Sequence, residues 1–322
     1  MKKIRYIMFC LLAGALISMS SCKKESENIF NMFSDVSVTF HGDHPFSVID
    51  YKQVNDGDSV YIDYTITSAN EDMFFVGVER VAGTSSSATP ERTVTAISNE
   101  SQRRSYSGLI KLQMARDGKT SYRIYALNRQ NTFIGDGYKK VTIEVNPSYH
   151  LVHNRRVYFP DTLGNSASFY SIQRDEAFNY TIGQANSADI DFGIWTRPDP
   201  APARLGQFIN NLYSPSHTPN PFPLYDVTDW QKRDTRFSTI RNGSSNTFLY
   251  TLVSNSTIES NAIAANPSLT AVEGTTSQNG LVAGSLVYFL TPEGKYGAIY
   301  VNAIDFDYES RRYLSLSIKM QR

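Results

Sequence analysis

Between Ser59 and Thr67 every second residue is apolar: Val60, Ile62, Tyr64 and Ile66 fall on one side of the chain, and Tyr61, Asp63, Thr65 and Thr67 on the other. A period of two over this length is the pattern of a strand with one face buried. The turn signal Asn55-Asp56-Gly57-Asp58 precedes it, and a second apolar run covers residues 73–81. Residues 105–112, 121–127 and 139–145 continue the series at the spacing of an antiparallel sandwich, and the polar insertion 85–101 is expected to be exposed. In the second half, residues 285–290 and 296–301 flank Thr291-Pro292-Glu293-Gly294-Lys295, which predicts a hairpin, and 313–319 adds a further strand. Residues 168–171 and 189–195 also read as strands. Leu205, Phe208, Ile209 and Leu212 recur at helical spacing and predict a short helix over 205–212. The expected fold is mainly β, with two β-sandwich-like modules in tandem at 33–146 and 149–322. The second module carries the short helix and a long Pro-rich loop, and Asn146-Pro147-Ser148 forms the boundary.

The N-terminus departs from this pattern. Lys2, Lys3 and Arg5 precede an apolar stretch that runs to Ile17, followed by Ser18, Ser20 and Ser21 before Cys22. That is the layout of a secretory signal over residues 1–21, and its apolar run of about 12 residues is too short for the ~20 that cross a bilayer. Leu16-Ile17-Ser18-Met19-Ser20-Ser21-Cys22 resembles a bacterial lipobox, which implies acylation of Cys22 and a tether over 22–32. Several acyl chains hold a protein on a membrane durably where one does not. Cys10 would leave with the signal, so no intramolecular disulfide is expected.

Lys23-Lys24-Glu25-Ser26-Glu27 resembles the charged tethers of Bacteroidota lipoproteins. The resemblance implies a lipid anchor in the outer membrane with the body exposed at the cell surface, or facing the periplasm as the alternative. Residues 117–126, Gly137 and the run Val141-Thr142-Ile143-Glu144-Val145 resemble the last strands of immunoglobulin-like and polycystic-kidney-disease-like modules. In that resemblance Tyr122 stands at the tyrosine corner, its hydroxyl tying a turn to backbone, although the inter-sheet cysteines and strand-C tryptophan of antibody domains are absent. Ser168-Phe169-Tyr170-Ser171, Asp189-Ile190-Asp191-Phe192-Gly193, Thr228-Asp229-Trp230 and the closing run 293–301 resemble the C-terminal region of uncharacterised Bacteroidota cell-surface lipoproteins, a resemblance that carries no assigned chemistry.

Charge and motif narrow the chemistry. With 31 basic and 31 acidic residues there is no electrostatic footprint for nucleic acid. The Gly-x-Ser-x-Gly elbow, the His-Glu-x-x-His zinc spacing and a phosphate-binding Gly-rich loop do not occur, so no catalytic residue, metal or cofactor is expected. His41 and His44 around Asp43, and His150 with His153, read as turn and surface histidines. The carboxylate pairs Asp56/Asp58, Asp189/Asp191 and Asp305/Asp307 read as solvated faces. Asp58-Ser59-Val60 and Asp161-Thr162-Leu163 resemble O-glycosylation sites of Bacteroidota exported proteins.

Trp195 and Trp230 bound a stretch that holds seven of the thirteen prolines, and with Tyr213, Tyr225 and Arg197 they form a candidate platform for stacking sugar rings. The same aromatics could instead pack the loop onto the sandwich. The chain is thus expected to be a lipid-anchored surface protein without enzymatic activity, in which the C-terminal module binds a polysaccharide or an outer-membrane protein partner. The alternative is a structural or adhesive accessory, or fimbria-like subunit, that meets another chain through sheet edges; a glycan-active enzyme is a remote third reading. Exposed tryptophans would favour the sugar platform, a long uncovered edge strand would favour assembly, and a cleft with two facing carboxylates would favour hydrolysis.

Overall fold

The computed structural model describes residues 36–82 and 91–322; the expected signal 1–21, Cys22 and the tether 22–32 lie outside the described residues. The chain is mainly β. Its first half forms strands β1 (Val36–His41), β2 (Tyr51–Val54), β3 (Ser59–Ser68), β4 (Phe75–Ala82), β5 (Glu91–Ala96), β6 (Ser105–Gln113), β7 (Gly118–Leu127) and β8 (Phe133–Val145). They make two facing sheets, ordered β1-β3-β6 and β2-β8-β7-β4-β5. The alternation of β3 places Val60, Ile62, Tyr64 and Ile66 in the core, where they meet Tyr122, Ile124 and Ala126 of β7 and Val141, Ile143 and Val145 of β8.

The second half contributes β9 (Tyr149–Tyr158), β10 (Phe169–Ser171), β11 (Glu176–Phe178), helix α1 (Tyr180–Ala185), β12 (Phe192–Pro198), β13 (Phe208–Tyr213), β14 (Arg236–Phe237), helix α2 (Asn255–Ala265), β15 (Ala271–Val272), β16 (Leu286–Leu290), β17 (Tyr296–Phe306) and β18 (Arg312–Gln321). These build a second pair of sheets, β11-β10-β12-β13-β15 and β14-β16-β17-β18-β9. The expected hairpin is β16–β17, with Leu286 opposite Tyr300 and Leu290 opposite Tyr296. Phe192, Ile194, Val287, Phe289, Ile299 and Leu316 fill the space between the sheets.

Three expectations are corrected. The helix predicted over 205–212 is strand β13, paired with β12 from Gly193–Tyr213 to Pro198–Phe208. Four apolar residues at helical spacing misled because β13 is buried on both faces, so its polar positions are interior: Asn211 accepts from the Gly274 amide at 2.7 Å and Asn210 donates to the Leu281 carbonyl at 3.1 Å. The helices fall elsewhere, and α2 is announced by Ser254, whose hydroxyl accepts from the Thr257 amide while Thr257 returns a bond to the Ser254 backbone. Within the polar insertion 85–101, residues 91–96 form strand β5, exposed along its whole length, whereas Ile97 is buried. Tyr122 lies inside the core with the Arg80 guanidinium beside its hydroxyl, and among the described residues that hydroxyl makes no bond to the backbone of a turn.

The two sandwiches meet through polar loops. Asp56, in the turn before β3, accepts from the Ser256 amide (2.6 Å) and hydroxyl (2.9 Å) in the first turn of α2, where a carboxylate is favoured by the free amides and the helix dipole. Asp117, in the β6–β7 turn, accepts from the amide and hydroxyl of Ser148 at 2.6 and 2.7 Å, and its own amide donates to the Val253 carbonyl. Burial raises the Asp117 carboxyl, the Ser148 bonds oppose that, and neighbouring Asp56 adds to it.

Close to this junction Lys319 is buried on β18. Its Nζ donates to the Phe248 and Leu252 carbonyls, both at 2.6 Å, and stands 4.8 Å from the Phe248 ring centroid. Burial pushes the ammonium down to about 8; Arg116 adds to the effect and Asp117 opposes it. A neutral amine keeps two N–H groups, enough for both carbonyls, so losing the proton costs neither bond. Between pH 8 and pH 10.5 the unfolded chain therefore holds a proton at Lys319 that the folded chain has released, and stability rises with pH in that window. Urea unfolding is expected to show a gain of about 1.5 kcal/mol from pH 8 to 9.5 that is missing in Lys319→Met.

Candidate functional site

The aromatic residues singled out in the sequence are interior. Trp195 and Trp230 are each 6% exposed, and Tyr213 and Tyr225 are buried with them in one cluster beneath the Pro-rich loop. Trp230 lies against Phe169 with ring centroids 4.7 Å apart and stacks on Tyr180 at 5.8 Å; the Tyr225 hydroxyl donates to the Asp161 carbonyl at 2.7 Å. Arg197, half-buried, donates to the Gly274 carbonyl at 2.7 Å. These residues hold the loop to the sandwich, and no exposed stacking face is left among them.

Asp58 and Asp305 are exposed as expected, but other members of the carboxylate pairs are structural. Asp191 is 1% exposed and not on a solvated face: its carboxylate accepts from the Ile172 amide, the Thr235 hydroxyl and Arg233 Nε. Asp189 sits in a short turn and pairs with Arg174, so the two do not share a strand face. Asp307 accepts from the Glu309 and Arg311 amides and closes the turn between β17 and β18, which removes it from solvent as well. His41 meets the Thr65 hydroxyl, and His44 stacks near Phe46 and Tyr61.

The open surface is in the first sandwich. In the sheet orders β6 ends one sheet and β5 ends the other, so among the described residues both lack a neighbour on the same side of the module, where the short helical turn Glu100–Gln102 carries the chain from one to the other. Between them runs a groove of about 380 Å³. Its floor is apolar: the inward-facing Tyr106, Ile110 and Leu112 of β6 are only partly covered, together with Val78 of β4. Tyr64 lies beneath Gly108, where an added Cβ would come within 2.4 Å of its hydroxyl; a side chain at 108 would push this ring out of the floor. Burial pushes Tyr64 up to about 12, with Tyr106 adding to the shift, so the floor stays neutral at physiological pH. Thr93, Thr95 and the Arg80–Glu91 ion pair form the β5 wall.

β6 is a straight nine-residue edge. Its register with β3 runs from Ser105–Thr67 to Gln113–Ser59 without a bulge, and it contains no proline. Edge strands are usually shortened, kinked or covered, because their free N–H and C=O groups template pairing with another chain. The opposite side of the module is closed in that way: β1 packs against β8 so tightly that a Cβ on Gly137 would fall 1.9 Å from the Val36 carbonyl oxygen. The groove was missed in the sequence because alternation reports which face of a strand is buried and not whether a neighbour stands beside it. The six-residue run 91–96, read as part of an exposed polar insertion, is the one signal that would have supplied its second wall.

No family model matches the sequence, and no curated protein matches it. Solved structures that share part of its shape include the CARDB domain of the PF1109 protein from Pyrococcus furiosus, at 10% identity and a TM-score of 0.23, covering 36% of this chain and 97% of that one. A chain from the complex of zinc 2-glycoprotein with prolactin-inducible protein from human seminal plasma gives 9% identity and 0.24, covering 36% and 98%. A chain from a structure on T cell specificity and activation by the bacterial superantigen toxic shock syndrome toxin-1 gives 16% and 0.22, covering 35% and 98%. Likeness at this level carries no argument about activity. No helix among the described residues is long and apolar enough to cross a membrane.

Proposed function

We propose that this chain is a lipid-anchored cell-surface protein without enzymatic activity that holds a partner protein by accepting one of its extended segments beside β6. The observation that supports this reading is the pair of free edges, β5 and β6, on either side of an apolar groove. An added strand would satisfy the outward N–H and C=O groups of β6. Its alternate side chains would cover Tyr106, Ile110 and Leu112, so main-chain bonds provide affinity and the groove provides selectivity. The signal and Cys22 read from the sequence would place the module at the membrane, and the buried tryptophans remove the main support for an aromatic sugar platform.

A photo-crosslinking amino acid at Leu109 or Thr93, in cells that make the full chain, tests this reading. Both positions are expected to yield an adduct with the same extended peptide segment, whereas the exposed Leu163 of the second module yields none. Adducts at all three positions, or at none, would reject strand addition.

A further inference from the structure

A second concave site lies at one end of the C-terminal sandwich, between β9, the β10–β11 turn and the β16–β17 turn. It encloses about 400 Å³. Arg233 stands in its wall with a side chain 13% exposed. Behind it the buried Asp191 takes Nε at 3.0 Å, which fixes the plane of the guanidinium and turns its two terminal nitrogens away from the core. Those nitrogens grip Glu293, each at 2.7 Å from one carboxylate oxygen.

The two carboxylates differ in character. Asp191 is held by three donors in the interior, whereas Glu293 is 47% exposed and projects from the turn that joins β16 to β17. Glu293 can swing away into water; Asp191 cannot. Lys295 and His150 also line the cavity, and neither has an ion-pair partner among the described residues. Asp175 lines it as well, its carboxylate already held by Arg155 and the Tyr170 hydroxyl; Gln173 and Thr291 supply neutral polar groups, and Ile172 and Met320 an apolar wall.

We infer that this cleft binds an acidic glycan, with the carboxylate of a hexuronic acid residue replacing Glu293 in the fork of Arg233. The planar guanidinium, oriented from behind, accepts any carboxylate in the same two-point geometry that Glu293 uses. Lys295 adds a second positive charge beside that fork. The C–H face of a sugar ring fits against Ile172 and Met320, and its hydroxyls meet Gln173, Thr291 and His150. Glu293 is then a built-in competitor that keeps the two terminal nitrogens of Arg233 hydrogen-bonded until ligand arrives, while Asp191 stays paired behind the guanidinium in both states.

Calorimetric titration of the soluble form, residues 23–322, with trigalacturonate and with neutral galactotriose tests this. Trigalacturonate is expected to bind at least about tenfold more tightly than galactotriose, and less tightly as salt is raised. Glu293→Gln, a half-exposed turn position, is expected to strengthen trigalacturonate binding about five- to tenfold by removing the competing charge, while Lys295→Ala weakens it about fivefold. Arg233→Lys keeps the charge but loses the fork, and binding falls by about tenfold or more, with the melting transition as the check on folding. Equal affinity for the two probes, no binding of trigalacturonate to either wild type or Glu293→Gln, or weaker binding in Glu293→Gln would each overturn the proposal.

Discussion

Trp230→Ala is expected to lower the stability of the C-terminal sandwich by about 3–5 kcal/mol, read as a fall in the urea midpoint with the slope unchanged. The indole fills a space that nothing nearby can close. It lies against Phe169 and Tyr180, and Gly183 of α1 has no side chain where the ring passes: a Cβ there would stand 2.9 Å from the indole edge. Removing the ring leaves a cavity bounded by strand β10, helix α1 and the Pro-rich loop, three elements fixed by their own hydrogen bonds, so collapse is limited. Leu205 is the internal comparison. It lies in the β12–β13 connection of the same sandwich and is 88% exposed, and Leu205→Ala is expected to change stability by less than about 0.5 kcal/mol. A tryptophan serving as an exposed sugar platform would behave like Leu205 in this measurement; one that packs the loop gives the larger loss.

Asp191→Ala is expected to cost a similar amount, about 3–5 kcal/mol, by a different route. The substitution removes acceptors from the Ile172 amide and the Thr235 hydroxyl, both buried, and takes away the charge behind Arg233. The guanidinium then keeps only Glu293, at the solvent end of the cleft. Burial raises the Asp191 carboxyl, and Arg233 with the Ile172 and Thr235 donors opposes that rise without cancelling it. Asp191→Asn separates the contributions, because an amide oxygen still accepts from Ile172 or Thr235 while the charge is gone. Its loss should fall between wild type and Asp191→Ala in the same urea experiment.

Much of the architecture was legible before any coordinates. The alternation of Val60, Ile62, Tyr64 and Ile66 marked β3 and its buried face, and the Pro-Glu-Gly turn marked the β16–β17 hairpin. Both signals are local: a strand alternates because successive side chains point to opposite faces, and a tight turn needs particular residues. The failures came where local pattern and tertiary setting part. Strand β13 is interior on both faces, so Asn210 and Asn211 hid its period and four apolar residues at 205–212 imitated a helix. Asp191 shares its i, i+2 spacing with ordinary surface aspartates, and only the approach of Arg233, 42 residues later, makes it a buried anchor. The tryptophans were visible as unusual, yet exposure depends on which surface the Pro-rich loop folds against.

By itself the sequence determined the class of the protein, mainly β, and the faces that many of its strands bury, because those follow from the two-residue period of an extended chain. Tertiary structure decided the two candidate sites. The groove exists because β5 and β6 end their sheets on the same side with no strand beyond them among the described residues, and the cleft exists because Asp191, Arg233 and Glu293, far apart in the chain, meet at one end of a sandwich. Sheet order and the convergence of distant charges are set by long-range packing, which no local period of hydrophobic residues encodes.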